Sequence, residues 1–304
     1  MDNIPSAIRQ KIEGRPSLDE KSSTRVAELT CGRLADISLL VGCREKSEVI
    51  IFCCDHGVAR RGVTKLPPDY AKQKYCELVA GIGIAFQLGK AFSVPVHAID
   101  CSMGSPSRDI CDEDAMTQLE LQKSLVLGWD QACGSDCELI GIGELGAGNT
   151  TSAAALASIF LNEPPADCVG TGSGIETSQI PEKLRAVEIA LERVEGKCES
   201  TTDALRRLGG KEIVAMCGAI LGAHSCGKLV VLDGFVTCVA ALAAVRIWPE
   251  SRNSLICCTT TDEKGQALAV RRLGLSPFMN IGHTCGQGFG SFFGLEFCRS
   301  SRYL

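Results

Sequence analysis

Short, apolar, β-rich segments alternate with helical segments from residue 48 onward, and this alternation leaves few folds open to the chain. A helix between two such strands returns the chain to the same edge of the sheet, so neighbouring strands run parallel. The sequence therefore predicts an α/β protein with a doubly wound parallel sheet. The predicted strands are 48–54, 94–100, 138–141, 228–232 and 255–259.

The segments between these strands are predicted to be helical. Gly209 and Gly210 interrupt one of them, and the first 40 residues are helical and charged without any strand pattern. The predicted helices are 68–92, 112–132, 150–161, 181–195, 202–223 and 234–245.

Charge and hydropathy exclude two classes of partner. The formal net charge of the 304 residues is −5 and no long run of Lys or Arg occurs, which argues against nucleic acid and anionic membrane surfaces. No segment has the roughly 18 uncharged apolar residues of a membrane-spanning helix, because Asp233 interrupts the best candidate, 229–245. The polar N-terminus lacks an apolar export signal. We expect a soluble protein of the cytoplasm.

The chain has 18 cysteines, which is an unusually high number. Disulfide scaffolds belong mainly to small exported proteins, and the C-x-x-C spacing of a zinc or iron–sulfur site does not occur. Most of the cysteines lie in apolar runs such as 51–54 and 214–217, where a free cysteine acts as a small hydrophobic residue. We therefore expect neither a disulfide nor a bound metal ion.

Polar turns follow the predicted strands. Asp55 and His56 come after the first strand, and Asp233 comes after the fourth. Because ligands of open α/β sheets bind at the carboxyl ends of the strands, these three residues are candidates for the lining of one crevice. An isolated histidine such as His56 can also be a hydrogen-bonded structural residue.

The run 141–155 (GIGELGAGNTTSAAA) is the strongest candidate for a binding site. Its glycines leave backbone N–H groups open to a ligand, and its Asn-Thr-Thr-Ser sequence caps an alanine-rich helix, whose N-terminus suits a phosphate. The alternative is a turn chosen for close packing, in which Glu144 would be an odd residue. The match to a G-x-G-x-x-G dinucleotide fingerprint is weak, because the run follows the third strand. The candidate phosphate-binding residues are Gly143, Gly146, Gly148, Asn149 and Thr150.

A second glycine cluster, 168–174 (CVGTGSG), contains Gly170, Gly172 and Gly174. It is either a second cradle, for a phosphate or a ribose, or a mobile loop. The residues alone leave both interpretations open.

Seven segments stand out together, and two of them, GNTTSAAA and LDGF, are highly specific. In order they resemble the nicotinate-nucleotide:dimethylbenzimidazole phosphoribosyltransferase family, from about residue 25 to 294. The segments are LTCGRL (29–34), DHGVA with GV (55–63), an arginine followed by AMT (108–117), GIGE with GNTTSAAA (141–155), VGTGSG (169–174), GG with GAILGA (209–223) and LDGF with AALAA (232–244).

The resemblance implies a fold and a reaction. The fold is a Rossmann-like sheet of about six parallel strands in an α/β domain (46–284), with a small helical domain from residues 1–45 and 285–304, in a dimer. The reaction displaces nicotinate from nicotinate mononucleotide when a small aromatic acceptor attacks the anomeric carbon with inversion. Glu144 and Lys183 match family positions that line the donor site. Neither a metal nor another cofactor is implied.

The chain departs from the family near its C-terminus. The family's proposed general base is a glutamate in a G-E-G-x-G motif, and the residue here is Gln287. A glutamine amide does not accept a proton near neutral pH, and general-base catalysis typically contributes about 10²–10⁴-fold in rate. The other departures are His283-Thr284-Cys285 for the family's Arg-Leu, Cys258-Thr259 for its Ser-His, and the lack of a Pro-Pro-Gly-Ser loop between Thr30 and Gly32.

These departures predict a paralogue that does not need its own base. Family enzymes that activate phenol or p-cresol are assembled from two different paralogues, and a phenol, with a pKa of about 10, needs a base. This chain would be the catalytically weak half of a heterodimer, and Gln287 would not act as a base. The alternatives are an active homodimer that uses Glu144 or another carboxylate, a non-catalytic nucleotide-binding regulator, and a Rossmann oxidoreductase, which the motifs fit least. The acceptor, whether phenol, p-cresol or a benzimidazole, stays open.

Overall fold

Five parallel strands form the main sheet of the computed structural model, which describes residues 6–13, 37, 40–42, 44–67, 69–282 and 285–301. The strand order is β2-β1-β3-β4-β5, and every neighbouring pair is parallel. The predicted α/β fold with a doubly wound parallel sheet is therefore confirmed. The strands are β1 (Ser47–Cys53), β2 (Val96–Asp100), β3 (Leu139–Leu145), β4 (Leu229–Leu232) and β5 (Leu255–Cys257).

Helices cover both faces of the sheet. Successive side chains of a strand point to opposite faces, so Ile50 and Phe52 belong to one apolar core, and Val49 and Ile51 to the other. Helices α4, α5, α9 and α10 pack in the first core, and α2, α3 and α12 pack in the second. The helices are α1 (Ser6–Glu13), α2 (Tyr70–Val79), α3 (Ile84–Phe92), α4 (Gln118–Gly134), α5 (Asn149–Leu161), α6 (Pro165–Cys168), α7 (Ile180–Val194), α8 (Thr201–Leu208), α9 (Lys211–Ser225), α10 (Phe235–Ile247), α11 (Lys264–Leu273) and α12 (Phe289–Ser301).

The strand order places the reversal of the sheet between β1 and β3. The chain passes from β1 to β2 on one side and then crosses to β3 on the other side of β1. Folds of this kind bind ligands at the carboxyl ends of the strands that flank the reversal. The turns that follow β1 and β3 therefore lie where a site is expected.

Two predicted helices differ from those in the structure. The predicted helix 68–92 is two helices, α2 and α3, because Gly81 and Gly83 adopt φ values of 74° and 99°, which an α-helix does not allow. The predicted helix 112–132 begins only at Gln118, where Thr117 forms a capping box with Glu120. The predicted break at Gly209-Gly210 is confirmed, because it separates α8 from α9.

The predicted strand 255–259 divides at Cys258. Beyond this residue, the short strand β6 (Thr259–Thr260) pairs in parallel with β7 (Met279–Asn280). The carbonyl of Cys258 accepts hydrogen bonds from the N–H groups of Phe278 and Met279. β6 and β7 form a separate two-stranded sheet, so the main sheet has five strands where the resemblance implies about six.

The C-terminal helix α12 lies on the sheet. The hydroxyl of Ser291 is 2.8 Å from the carbonyl oxygen of Ile142 and 3.0 Å from that of Val231. Gly141 leaves room for this contact, because a Cβ atom there would lie only 3.0 Å from the side chains of Ser291 and Leu295. The assignment of 285–304 and 1–45 to a separate helical domain stays a prediction, since most of 1–45 lies outside the described residues.

The described cysteines are free thiols. Most of them are buried, which agrees with their predicted role as small hydrophobic residues. Cys76 and Cys285 are exposed. Within the described ranges, no three His, Cys, Asp or Glu side chains are grouped so that they could hold a metal ion. None of the helices named above has both the length and the apolar character that crossing a membrane requires.

Helices α4 and α9 approach each other closely because glycines lie between them. A Cβ atom on Gly128 would lie 1.7 Å from the carbonyl oxygen of Ala215, and one on Gly218 would lie 2.1 Å from that of Leu125. Backbone atoms cannot move aside as the end of a flexible side chain can, so side chains at these positions would force the helices apart.

We expect Gly128→Ala to lower the free energy of unfolding by about 1–3 kcal/mol or more, which is the usual effect of overpacking a core. Gly134→Ala, in the same helix, is the matched control, because nothing lies within 4 Å of its Cβ position. Urea denaturation of both variants measures the difference. A Gly128→Ala protein as stable as the control would contradict the close approach.

Candidate active site

A cavity of about 420 Å³ opens at the carboxyl edge of the sheet, beside the reversal between β1 and β3. Its walls come from the ends of β3 and β4, from helices α2, α3, α5 and α10, and from the loops at 172–173, 261–263 and 285–287. The cavity thus collects segments from most of the chain at the edge where the fold predicts a ligand.

The β3–α5 loop (residues 146–148) forms one wall of the cavity. β3 ends at Leu145, α5 begins at Asn149, and Gly148 connects them with a φ of 87°. Gly146 and Thr150 line the cavity, at the N-terminal end of α5, where the helix dipole favours an anion. The predicted strand-to-helix turn beside an open crevice is therefore present.

Gly146 and Gly148 also have packing roles. A Cβ atom on Gly146 would lie 2.2 Å from the carbonyl oxygen of Cys54, and one on Gly148 would lie 3.1 Å from the backbone nitrogen of Ala59. The two interpretations of the glycine-rich run, ligand binding and close packing, therefore do not exclude each other.

Lys183, from α7, is completely buried next to this loop. Its Nζ donates hydrogen bonds to Thr150 Oγ1 (2.9 Å) and to the carbonyl of Gly170 (3.0 Å). Burial lowers the pKa of Lys183 to about 8, and the negative charge of Glu263 opposes this shift. A titratable cation therefore stands directly beside the first turn of α5.

The second glycine cluster meets the first one. Gly172 lines the cavity with a φ of 55°, and a Cβ atom there would lie 2.6 Å from Thr150 Oγ1 and 2.8 Å from Lys183 Nζ. Its N–H group donates a 2.6 Å hydrogen bond to Glu263 Oε1. The cluster is therefore part of the cavity wall near Lys183, whereas Gly174 has a φ of 87° with nothing within 4 Å of its Cβ position.

Glu144 is the cavity carboxyl with a strongly shifted pKa. Burial, and then the negative charges of Asp233 and Glu212, raise the pKa of Glu144 to about 8, although a hydrogen bond from the Asn149 amide opposes the shift. The side-chain amide of Asn149 donates this bond to Glu144 Oε2. Asn149 was predicted to bind phosphate, but in this structure its side chain serves Glu144.

Gln287 stands beside Glu144 in the cavity wall. Its N–H group donates a 2.9 Å hydrogen bond to the carbonyl of Glu144, and its φ of 57° is in the left-handed region. Asp233, also in the wall, holds this segment, because its carboxylate accepts hydrogen bonds from the N–H groups of Gly288 (2.9 Å) and Gly290 (2.6 Å). The loop that carries Gln287 is thereby fixed at the end of β4.

Gly143, another predicted phosphate-binding residue, has a packing role instead. A Cβ atom at this position would lie 2.2 Å from the backbone nitrogen of Gly288. The absence of a side chain on Gly143 lets the Gln287 loop reach the cavity.

Asp55 and His56 are not among the residues that line this cavity, contrary to their prediction as crevice residues. Asp55 Oδ1 accepts hydrogen bonds from the N–H groups of Ala71 (3.3 Å) and Ala147 (2.9 Å). The ring of His56 is buried and hydrogen-bonded to Ser152 and Glu212. Both residues connect protein segments. His56 is therefore a hydrogen-bonded structural residue, which was the alternative to a role in the crevice.

Some lining residues were missed by the sequence analysis. Tyr70 of α2 and Ile84 of α3 line the cavity, but no sequence signal placed two helices there, because the segment was predicted as a single helix. Glu263 also lines it and could have been found, since it follows the turn after a predicted strand. His283 and Thr284, at two further departures from the family, lie outside the described residues.

Comparison with known proteins decides the family. A family model described as phosphoribosyltransferase matches residues 30–304. A curated relative from Cereibacter sphaeroides (strain KD131), named nicotinate-nucleotide–dimethylbenzimidazole phosphoribosyltransferase, is 30% identical, over 99% of this chain and 90% of the relative. The chain belongs to this family. A relative of the same name from Methylocella silvestris is 31% identical, over 94% of this chain and 88% of the relative's length.

Solved structures agree with this fold. The crystal structure of nicotinate-nucleotide–dimethylbenzimidazole phosphoribosyltransferase from Thermus thermophilus superposes with a TM-score of 0.84 at 24% identity. The superposition covers 94% of this chain and 95% of the other. The two proteins therefore share the arrangement of strands and helices described above.

Glu144 gives the free energy of unfolding a pH dependence of known sign. Its pKa is raised from 4.5 to about 8 in the folded protein, so the folded state keeps a proton that the unfolded state releases. This stabilising contribution is complete below the unfolded pKa and is lost as the pH rises through about 8. Between about pH 5 and about pH 9, we expect the free energy of unfolding of the wild type to fall relative to that of Glu144→Gln in urea denaturation.

Glu120→Gln is the control for this measurement. Burial opposes the shift, but hydrogen bonds, first from the Thr117 backbone and then from Lys211, lower the pKa of Glu120 to about 2. The Glu120 carboxylate is ionised in the folded and in the unfolded state over the tested pH range. The difference in free energy of unfolding between Glu120→Gln and the wild type should therefore stay constant. The same constancy for Glu144→Gln would contradict the raised pKa.

Proposed function

We propose that this chain takes part in the transfer of α-ribosyl phosphate from nicotinate mononucleotide to a small aromatic acceptor that becomes the lower ligand of a cobamide. One observation carries the proposal: a single cavity combines an anion site next to Lys183 with apolar walls and the carboxyl group of Glu144. The names of the relatives supply the substrate class, and the cavity offers groups for both substrates.

The donor phosphate would bind between the two glycine clusters. The N-terminus of α5, the hydroxyl of Thr150 and the backbone at Gly172 lie together there, with Lys183 Nζ 2.9 Å from Thr150 Oγ1. A bound phosphate would favour the protonated form of Lys183. The buried amine would therefore carry its charge when the donor is present.

The acceptor would bind against the apolar part of the wall. Leu66, Tyr70, Ile84 and Phe235 line the same cavity and offer surfaces for a planar aromatic ring. These residues suit a phenol, p-cresol or a benzimidazole alike, because each presents an apolar ring with one nucleophilic atom.

The chemistry exchanges one bond of the anomeric carbon for another. The acceptor's oxygen or nitrogen forms a bond to this carbon while the bond to the nicotinate ring nitrogen breaks, and nicotinate leaves with the electron pair. Attack on the face opposite the leaving group converts the β-riboside into an α-riboside. The acceptor's proton must pass to a base.

We propose that a paralogous subunit supplies this base and that the present chain is the weaker half of a heterodimer. The support is Gln287, which stands at the family's base position and in the cavity wall, where its amide has no useful proton affinity. The fold, both glycine clusters and Lys183 are retained, which fits a chain that still holds a nucleotide. The free thiols of the described cysteines fit the cytoplasm that we propose as its location.

A second candidate is an active homodimer in which Glu144 is the base. Its raised pKa of about 8 is the observation that favours this form, because a general base works best when its pKa is near the working pH. The rate of such an enzyme should increase as the pH rises through about 8, when Glu144 loses its proton.

Steady-state rates with nicotinate mononucleotide and phenol separate the two candidates. For the heterodimer, we expect a low rate for the chain alone, little change on Gln287→Glu in the assembled enzyme, and a loss of about 10² or more when the partner's matching glutamate is removed. If this chain's own site works, Glu144→Gln should abolish the rate of the chain alone and Gln287→Glu should increase it.

Glu48→Gln is the matched control. Glu48 is a buried carboxyl at the opposite edge of the sheet, at the start of β1, where it pairs with His97. Its substitution should leave the rate within about twofold of the wild type, since Glu48 is remote from the cavity and does not line it. Full activity of the purified chain without any partner would overturn the heterodimer.

A further inference from the structure

We infer that Ser152, His56 and Glu212 form a buried chain of hydrogen bonds that positions the β3–α5 loop for the donor phosphate. The inference rests on the proposed function for the identity of the ligand, but the contacts that carry it belong to the protein alone. The three are positioning residues, because none of them lines the cavity.

The chain of hydrogen bonds joins three separate segments. His56 Nδ1 is 3.0 Å from Ser152 Oγ in the first turn of α5, and His56 Nε2 is 2.7 Å from Glu212 Oε1 in the first turn of α9. The side chains of His56 and Glu212 are completely buried, and Ser152 has no exposed surface. The N-terminus of α5 is thus fixed to α9 through a residue in the turn after β1.

Asp55 and His56 also hold the backbone of the β3–α5 loop. Asp55 Oδ1 accepts the N–H of Ala147 at 2.9 Å, and the N–H of His56 donates to the carbonyl of Ala147 at 3.1 Å. Both polar groups of Ala147, in the middle of the β3–α5 loop, are therefore satisfied by Asp55 and His56. The segment that carries the His56 ring therefore also holds the middle of the loop.

Stability alone accounts poorly for this arrangement. Burying an ion pair or a carboxyl group is costly, and apolar residues of similar size often give an equal or greater stability. Glu212 Oε2 is buried without a hydrogen-bond partner among the described residues, which adds to the cost. Gly210 also leaves the room required, because a Cβ atom there would lie 2.3 Å from His56 Cε1. A fixed loop geometry is a benefit that apolar residues could not provide.

The order Ser–His–Glu is also that of a hydrolytic triad, but access excludes such chemistry here. Ser152 has no exposed surface and lies inside the core with Ala153 and Ala154, so no substrate carbonyl could reach its hydroxyl. The hydrogen bonds of Ser152, His56 and Glu212 given above all join groups of the protein itself.

The test compares Ser152→Ala with Ser254→Ala. Ser254 Oγ is 2.8 Å from Nδ1 of a second buried histidine, His224, in the last turn of α9 and at the amino edge of the sheet. Each variant removes one buried Ser–His hydrogen bond, so both should lose similar stability. Amide hydrogen exchange of peptides that span 144–150 should become about three- to tenfold faster only in Ser152→Ala, as expected for the loss of one hydrogen bond.

Binding of nicotinate mononucleotide, measured by calorimetry, is the second readout. Ser152→Ala should weaken it about three- to tenfold, whereas Ser254→Ala should leave it unchanged. If the wild type does not bind this nucleotide, the proposed function fails, and the exchange comparison still decides on the positioning role.

Glu212→Gln covers the case in which Ser152→Ala does not fold. Its amide oxygen can still accept a hydrogen bond from the His56 ring, so loop exchange should lie between that of the wild type and that of Glu212→Ala. Equal exchange of the 144–150 amides in the Ser152 and Ser254 variants, or in the wild type and Glu212→Ala, would overturn the inference.

Discussion

The lack of side chains at Gly141 and Gly143 of β3 is the constraint on which the cavity depends. Gly141 and Gly143 point to the same face of this central strand, where a Cβ atom would meet Leu295 or the backbone of Gly288. Because these positions are empty, α12 lies directly on the sheet and the segment before it reaches the carboxyl edge. These two glycines precede Gln287 by more than 140 positions in the sequence. They nevertheless determine where Gln287 lies.

Electrostatic interactions connect the charged groups around the cavity. Glu144, Asp233 and Glu263 all line the cavity, and Lys183 is buried beside it. Asp233 is held by backbone N–H groups, so its charge contributes to the raised pKa of Glu144. Burial lowers the pKa of Lys183, and the negative charge of Glu263 opposes this shift. A negatively charged ligand in this cavity would therefore raise the pKa values of both Glu144 and Lys183.

Periodicity was sufficient to predict the fold, whereas contacts between distant segments were not predictable. The alternation of strands and helices, and the turns at 55–57, 141–151 and 233–234, gave the sheet and the edge that carries the cavity. The roles of single residues could not follow from this pattern. Asn149 and Gly143 lie in the glycine-rich run, yet one serves Glu144 and the other makes room for Gly288, because tertiary contacts decide what a side chain or its absence does. Glu212, which holds His56, is separated from it by 156 positions, and no local pattern indicates such a pair.

The position of Gln287 has a consequence for the order in which the protein can acquire its function during synthesis. All five strands of the main sheet are complete once residue 257 has emerged from the ribosome. The wall formed by 285–287, and the helix α12 that follows it, come after all five strands in the chain. The first apolar core contains no residue of this segment and can assemble before the site is closed, whereas the second core includes Phe292 and Leu295 of α12. Completion of the second core and closure of the site therefore depend on the same helix.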